Sequence, residues 1–89
     1  MVTVIIQHEV RDFALWRKEF DADQPNLAKA GVKLLGLYTS TKNPNDVTII
    51  VESPNAELFD VMMSDPERQA AIKRGGVIST PVATFLNKV

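Results

Sequence analysis

The stretch Val2-Thr3-Val4-Ile5-Ile6 recurs as Val47-Thr48-Ile49-Ile50-Val51, an offset of 45 residues. Gly31-Val32 returns as Gly76-Val77 at the same offset. The β-branched stretches are typical of strands, and each glycine follows a stretch with helical spacing. Two equivalent strand–helix–strand units predict an α+β chain of order β-α-β-β-α-β. This is the ferredoxin-like arrangement, in which a four-stranded antiparallel sheet carries both helices on one face.

The composition sets limits on the class of protein. The chain has 89 residues, of which 45% are hydrophobic, and we expect one domain over residues 1–89. A formal net charge of −1 gives no electrostatic footprint for nucleic acid. With no cysteine and one histidine, we expect no disulfide and no metal site. No apolar run reaches a membrane span of about 18 residues and no secretory signal pattern is visible, so we expect a cytoplasmic protein.

The periodicity of the apolar residues places the elements. It predicts four strands, over residues 2–10, 34–41, 47–53 and 82–88. Asp12 is the expected N-cap of the first helix, and Pro25 is expected to bend or restart that helix. The signal Asp65-Pro66-Glu67 predicts a break in the second helix and a further helical segment that ends at Arg74.

Alternation along the strands predicts which face the helices cover. The regularly apolar parity should face the helices, and it comprises Val2, Val4, Ile6, Val47, Ile49 and Val51. The opposite parity is mixed but still includes Ile5 and Ile50. A second copy of the chain is the expected cover for this face, which predicts a homodimer through the sheet.

Two residues could supply a polar group to a pocket. His8 is the only histidine and can act as a general base; alternatively, it is a partly buried side chain bonded to backbone. Its parity places it on the helix-covered face. Tyr38, the only tyrosine, lies within a predicted strand, where its hydroxyl could enter a pocket or its ring could simply pack.

Three polar residues share the other parity, namely Gln7, Glu9 and Glu52. Glu9 and Glu52 could form a catalytic carboxylate pair, because strands one and three are neighbours in this fold. The alternative is that they are solvated or salt-bridged at a dimer rim. Trp16 continues the helical stripe of Phe13 and Phe20, so it is either a core residue or a binding residue.

Several families with this topology do not fit. RNA-recognition domains stack bases on aromatic residues of strands one and three, and neither strand has one. Metal-transfer domains need paired cysteines. Acylphosphatases need an arginine in a phosphate-cradling loop, and Arg11 lacks the glycine-rich context.

The sequence resembles the dimeric α+β barrel superfamily, in particular its small stand-alone proteins of the cyclase-like and antibiotic-biosynthesis-monooxygenase-like kinds. The resembling residues begin with His8-x-Val10-x-Asp12-Phe13-Ala14-x-Trp16-Arg17-x-x-Phe20-Asp21. They continue with Ala30-Gly31-Val32, Asn43-Pro44-Asn45-Asp46 and Gly75-Gly76-Val77.

This resemblance implies two sheets that face each other across a two-fold axis, with a cavity in each protomer. It also implies chemistry on polycyclic phenols without metal or flavin, so no cofactor is expected. The predicted function is a homodimer that binds a small organic molecule, as a cofactor-independent cyclase, isomerase or monooxygenase-like enzyme. The alternative is a non-catalytic ligand-sensing or structural dimer.

Overall fold

The structure, a computed structural model, describes residues 1–89. Its elements are β1 (Val2–Glu9), α1 (Phe13–Lys29), β2 (Lys33–Thr39), β3 (Asp46–Ser53), α2 (Ala56–Met63), α3 (Pro66–Arg74) and β4 (Val82–Leu86). The strands form one antiparallel sheet with the helices on one face, which confirms the predicted ferredoxin-like α+β fold. None of the helices has the length and apolar content needed to cross a membrane.

The order of strands in the sheet is β2-β3-β1-β4, so the two recurring stretches lie side by side at its centre. Ile6 pairs with Ile49, and His8 pairs with Val47. Because side chains alternate along a strand, these four residues point to the same face. The pairing therefore determines which residues form the floor beneath the helices.

The core lies on this helix-covered face, as the alternation predicts. Its buried apolar side chains are Val4, Val10, Trp16, Val47, Ile49 and Val51. On the other face, which we call the open face, Ile5 pairs with Ile50 and both remain partly exposed. The helices thus cover one face of the sheet and leave the other accessible.

The first helix is bounded as predicted at both ends. The carboxylate of Asp12 accepts hydrogen bonds from the backbone N–H groups of Ala14 and Leu15, at 2.9 and 3.3 Å. Gly31 follows the helix with φ +83°, a left-handed conformation that favours glycine.

Pro25 does not restart α1, so of the two expected effects, a bend or a restart, the restart is wrong. The helix is continuous from Phe13 to Lys29 with Pro25 inside it. Both Pro25 and Asp21, whose carbonyl loses its helical donor, are exposed. Water can therefore bind the freed carbonyl, and the helix tolerates the proline.

The second helical region is divided where the sequence predicts a break. The Asp65 carboxylate accepts a hydrogen bond from the Glu67 N–H at 3.0 Å, and Pro66 occupies the first turn of α3. Neither α2 nor α3 contains a fully buried residue. These two short helices therefore cover the sheet without filling the space beneath them.

Replacing Trp16 by alanine should destabilise the fold strongly, because the indole is only 5% exposed. We expect a loss of about 3–5 kcal/mol in the free energy of unfolding, the usual range for removing a buried large aromatic side chain. Urea unfolding measures it. The control is Leu15→Ala on the same helix, where the side chain is 58% exposed and the loss should stay near 0.5 kcal/mol. Equal losses for the two variants would show that Trp16 is not part of the core.

Candidate functional site

A cavity of about 150 Å³ lies between the helix-covered face of the sheet and the three helices. Ile6, Ile49 and Val51 contribute to its floor. The walls are mainly aromatic and long apolar side chains of the helices, including Trp16, Phe20, Phe59, Met62 and Ile72. Because neither α2 nor α3 has a fully buried residue, their side chains leave this space unfilled.

An aromatic cluster on α1 and β1 forms one wall of the cavity. Trp16 stacks on Phe20, with ring centroids 4.9 Å apart and planes 19° apart. His8 meets the indole edge-on, at 5.5 Å and 67°. Such stacked and edge-on arrangements are the favourable geometries for aromatic pairs. The cluster therefore presents an aromatic and largely apolar surface to the cavity.

His8 is the most unusual polar group of this cavity. The residue is 8% exposed, and its Nδ1 is buried without a hydrogen-bond partner. The structure contains no hydrogen bond from another residue to either ring nitrogen. Burial lowers the pKa of His8 below 6.5, against the smaller raising effects of its own backbone and of Asp46. The imidazole is therefore neutral at pH 7, with one nitrogen able to accept a proton.

The other polar groups at the cavity, apart from the exposed Glu19, are hydrogen-bonded. The hydroxyl of Ser53 donates to the carbonyl of Asn55 at 2.8 Å. The Arg68 guanidinium of α3 binds the Asp23 carboxylate of α1 through both terminal nitrogens, at 2.6 and 3.4 Å. This ion pair is the only hydrogen-bonded contact between these two helices. His8 is thus the one buried polar side chain at the cavity without a hydrogen bond.

The structure separates the candidate residues of the sequence into two groups. His8 and Trp16 lie together at the cavity. Gln7, Glu9, Glu52 and Tyr38 lie on the open face, as the strand register shows. The ring of Tyr38 lies over Gly36 there, so its hydroxyl does not reach the cavity.

The predicted pair of carboxylates from Glu9 and Glu52 is wrong. Strands β1 and β3 are neighbours, but their antiparallel register puts Glu9 opposite Asp46 and Glu52 opposite Thr3. The two glutamates therefore lie at opposite ends of the sheet. Adjacency of the strands was predicted correctly, and the running direction of the pairing separates the two side chains.

Sequence reasoning missed Asp23 and Arg68 as residues of this cavity. A signal was present, because the two positions differ by 45, the offset of the internal repeat. Equivalent positions on the two helical regions meet over the sheet, and here they carry opposite charges. The predictions from the repeat covered the strands and the glycines that follow the helices, but not this pair.

Comparisons with known proteins identify the fold. No protein-family model and no curated protein sequence matches this chain. Among solved structures, it is similar to a proposed antibiotic biosynthesis monooxygenase from Bordetella bronchiseptica, with 17% identity and a TM-score of 0.77 over 99% of this chain and 96% of that one. A proposed monooxygenase of the same description from Caulobacter crescentus has 15% identity and a TM-score of 0.75, over 99% and 89%. SnoaB, a cofactor-independent oxygenase from Streptomyces nogalater, has 14% identity and a TM-score of 0.73, over 99% and 92%.

The chain has the ferredoxin-like α+β fold of these structures. The resemblance inferred from the sequence is thereby confirmed at the level of the fold, over almost the whole chain. Fold alone does not determine function, so the function of this chain must be argued from its cavity.

The pKa of His8 predicts a pH dependence of stability. Because the folded-state pKa lies below 6.5, the unfolded chain binds more protons as the pH falls. The stability that depends on a neutral His8 is therefore fully present above about pH 6.5, and it decreases as the pH falls toward the folded-state pKa of His8. Ring resonances of this single histidine, followed by NMR in the folded protein and in urea, should give a lower pKa for the folded state. A folded-state pKa at or above the urea value would contradict the buried, neutral imidazole.

Proposed function

We propose that this chain binds a small organic molecule in the cavity between helices and sheet, with His8 as the polar group that contacts it. The observation that carries the proposal is a nearly fully buried imidazole, without a protein partner, in an apolar cavity wall. An unsatisfied buried polar group costs about 1–3 kcal/mol. A ligand with a complementary group would recover much of this cost, and the stacked aromatic rings beside His8 would contact its apolar part.

The same arrangement supports a cofactor-independent enzyme of the cyclase, isomerase or monooxygenase kind. A neutral imidazole can accept a proton from a bound molecule at pH 7 and return it, which is the general-base step of such reactions. The fold shared with a cofactor-independent oxygenase is consistent with this activity. Under this proposal, Trp16 and Phe20 orient the molecule and His8 moves the proton.

A non-catalytic ligand sensor is the second candidate. It is favoured by one observation: the ionisable groups Asp23 and Arg68 at the cavity are paired with each other. A single free imidazole is sufficient for binding, whereas acid–base catalysis often needs two groups. Turnover of a bound compound, lost in His8→Phe, would favour the enzyme; tight binding without turnover would favour the sensor.

We also propose that the protein is a homodimer through the open face. This face has apolar side chains on all of its central rows, including Ile5, Ile50, Val82 and Tyr38. The side-chain amide of Gln7 donates one hydrogen bond of 3.3 Å to the hydroxyl of Thr48, which lowers the cost of covering these two groups. A second copy of the chain would bury this surface by face-to-face packing of the two sheets.

If the protein is this homodimer, it should sediment with the mass of two chains at micromolar concentration. Ile50→Lys, which places a charge at the centre of the open face, should yield monomers by analytical ultracentrifugation. Leu15→Lys, on the exposed side of α1, is the matched control and should remain dimeric. A wild-type protein that sediments as a monomer would refute the interface.

Ligand binding should be visible at the cavity and absent from the open face. We expect a screen of small aromatic and lactone compounds to find at least one that shifts the NMR signals of His8 and Trp16 saturably. His8→Phe should weaken a hydrogen-bonding ligand about fivefold, the equivalent of one net hydrogen bond of about 1 kcal/mol. Tyr38→Phe is the control and should leave the affinity unchanged.

Binding that shifts only the signals of Gln7, Glu52 and Tyr38 would move the site to the open face. That result would contradict the proposed function.

A further inference from the structure

The size, the charge and the polar groups of the cavity restrict what it accepts, and this further inference rests on the proposed function. We propose that the ligand is an uncharged single-ring compound with one hydrogen-bonding group. Fused polycycles and carboxylates are excluded.

Size is the first restriction. The cavity measures about 150 Å³. An apolar protein cavity of this volume holds benzene, whereas sites for larger ligands usually measure about 300–1,000 Å³. The floor residues Ile49 and Val51 are buried in the sheet, and close-packed interiors resist displacement. A second fused ring held within the cavity therefore needs the helical wall to move, most directly the half-buried Met62 of α2.

Charge is the second restriction. Three charged residues line the cavity, namely Glu19, Asp23 and Arg68. The only cation among them, Arg68, is bound to Asp23 through both terminal nitrogens. Glu19 adds a further negative charge, so the lining has a formal charge of −1. A bound carboxylate would lose its hydration and find no free cation, which makes its transfer into the cavity unfavourable.

The number of hydrogen bonds is the third restriction. The hydroxyl of Ser53 donates its proton to the carbonyl of Asn55, and the carboxylate of Asp23 and the guanidinium of Arg68 bind each other. His8 is the one buried polar side chain at the cavity without a hydrogen bond, so the cavity specifies one principal hydrogen bond and otherwise mainly apolar, partly aromatic contact. A compound of the size of p-cresol, a neutral single-ring phenol, meets all three restrictions.

The test compares three probes by NMR titration at the His8 ring at pH 7.5: p-cresol, 1-naphthol and benzoate. In the wild-type protein, p-cresol should give saturable shifts, and the other two should bind at least about tenfold more weakly. If none of the three shifts His8, the proposed function fails together with this inference. If 1-naphthol or benzoate binds as well as p-cresol and shifts His8, the proposed function stands and the restriction on the ligand is overturned.

Two variants test size and charge separately. Met62→Ala enlarges the cavity and should improve 1-naphthol relative to p-cresol by roughly tenfold. Its control is the neighbouring Val61→Ala, because Val61 is 68% exposed and does not line the cavity.

Asp23→Asn frees the Arg68 cation and should improve the affinity for benzoate by a similar factor. Asp21→Asn, which removes an exposed ion pair with Arg17 outside the cavity, should leave benzoate unchanged. Unchanged probe preferences in Met62→Ala and Asp23→Asn would contradict these assignments of size and charge.

Discussion

The pairing of β1 with β3 at the centre of the sheet is the constraint on which the rest of the structure depends. It places Ile6 beside Ile49 and His8 beside Val47 on the face that the helices cover. A slip of one residue in either strand would move its entire apolar set to the open face. The helices of this small chain can cover only one face of the sheet. A slip would leave the apolar residues of that strand uncovered, so the observed register is strongly favoured. Burial of the apolar floor therefore also carries His8 into the interior.

The cavity follows from how the chain covers that floor. The long helix α1 contributes Trp16 and its stacked neighbours, whereas the second helical region is broken at Asp65 into two short helices without a fully buried residue. The wall of the cavity formed by α1 is consequently aromatic, whereas the opposite wall consists of two short helices that bury no residue fully. The Asp23–Arg68 pair joins the two walls at a single point. An imidazole without a partner is costly in such surroundings, and a bound molecule is the simplest source of the missing hydrogen bond.

The internal repeat was sufficient to predict the fold, and the alternation of Val4, Ile6 and His8 was sufficient to predict which face His8 occupies. Pro25 could not be judged from local rules, because its effect depends on whether the freed carbonyl reaches water. The pairing of Glu9 with Glu52 failed because an antiparallel pairing brings the end of β1 to the start of β3, so residues near the ends of both strands lie far apart. The cavity itself depends on how far α2 and α3 stand from the sheet, a tertiary property that no local pattern encodes. Tyr38 was proposed for a pocket on its chemistry alone, and the register places it on the open face.

The central claim is that the space between helices and sheet is the ligand site and that His8 supplies its polar contact. The most direct measurement is a crystal structure of the protein soaked with p-cresol. The account predicts electron density for one ring against Trp16 and Phe20, with the phenol oxygen within about 3.2 Å of an imidazole nitrogen. A cavity that is empty or closed by side chains at saturating p-cresol, with density instead on the open face, would contradict it.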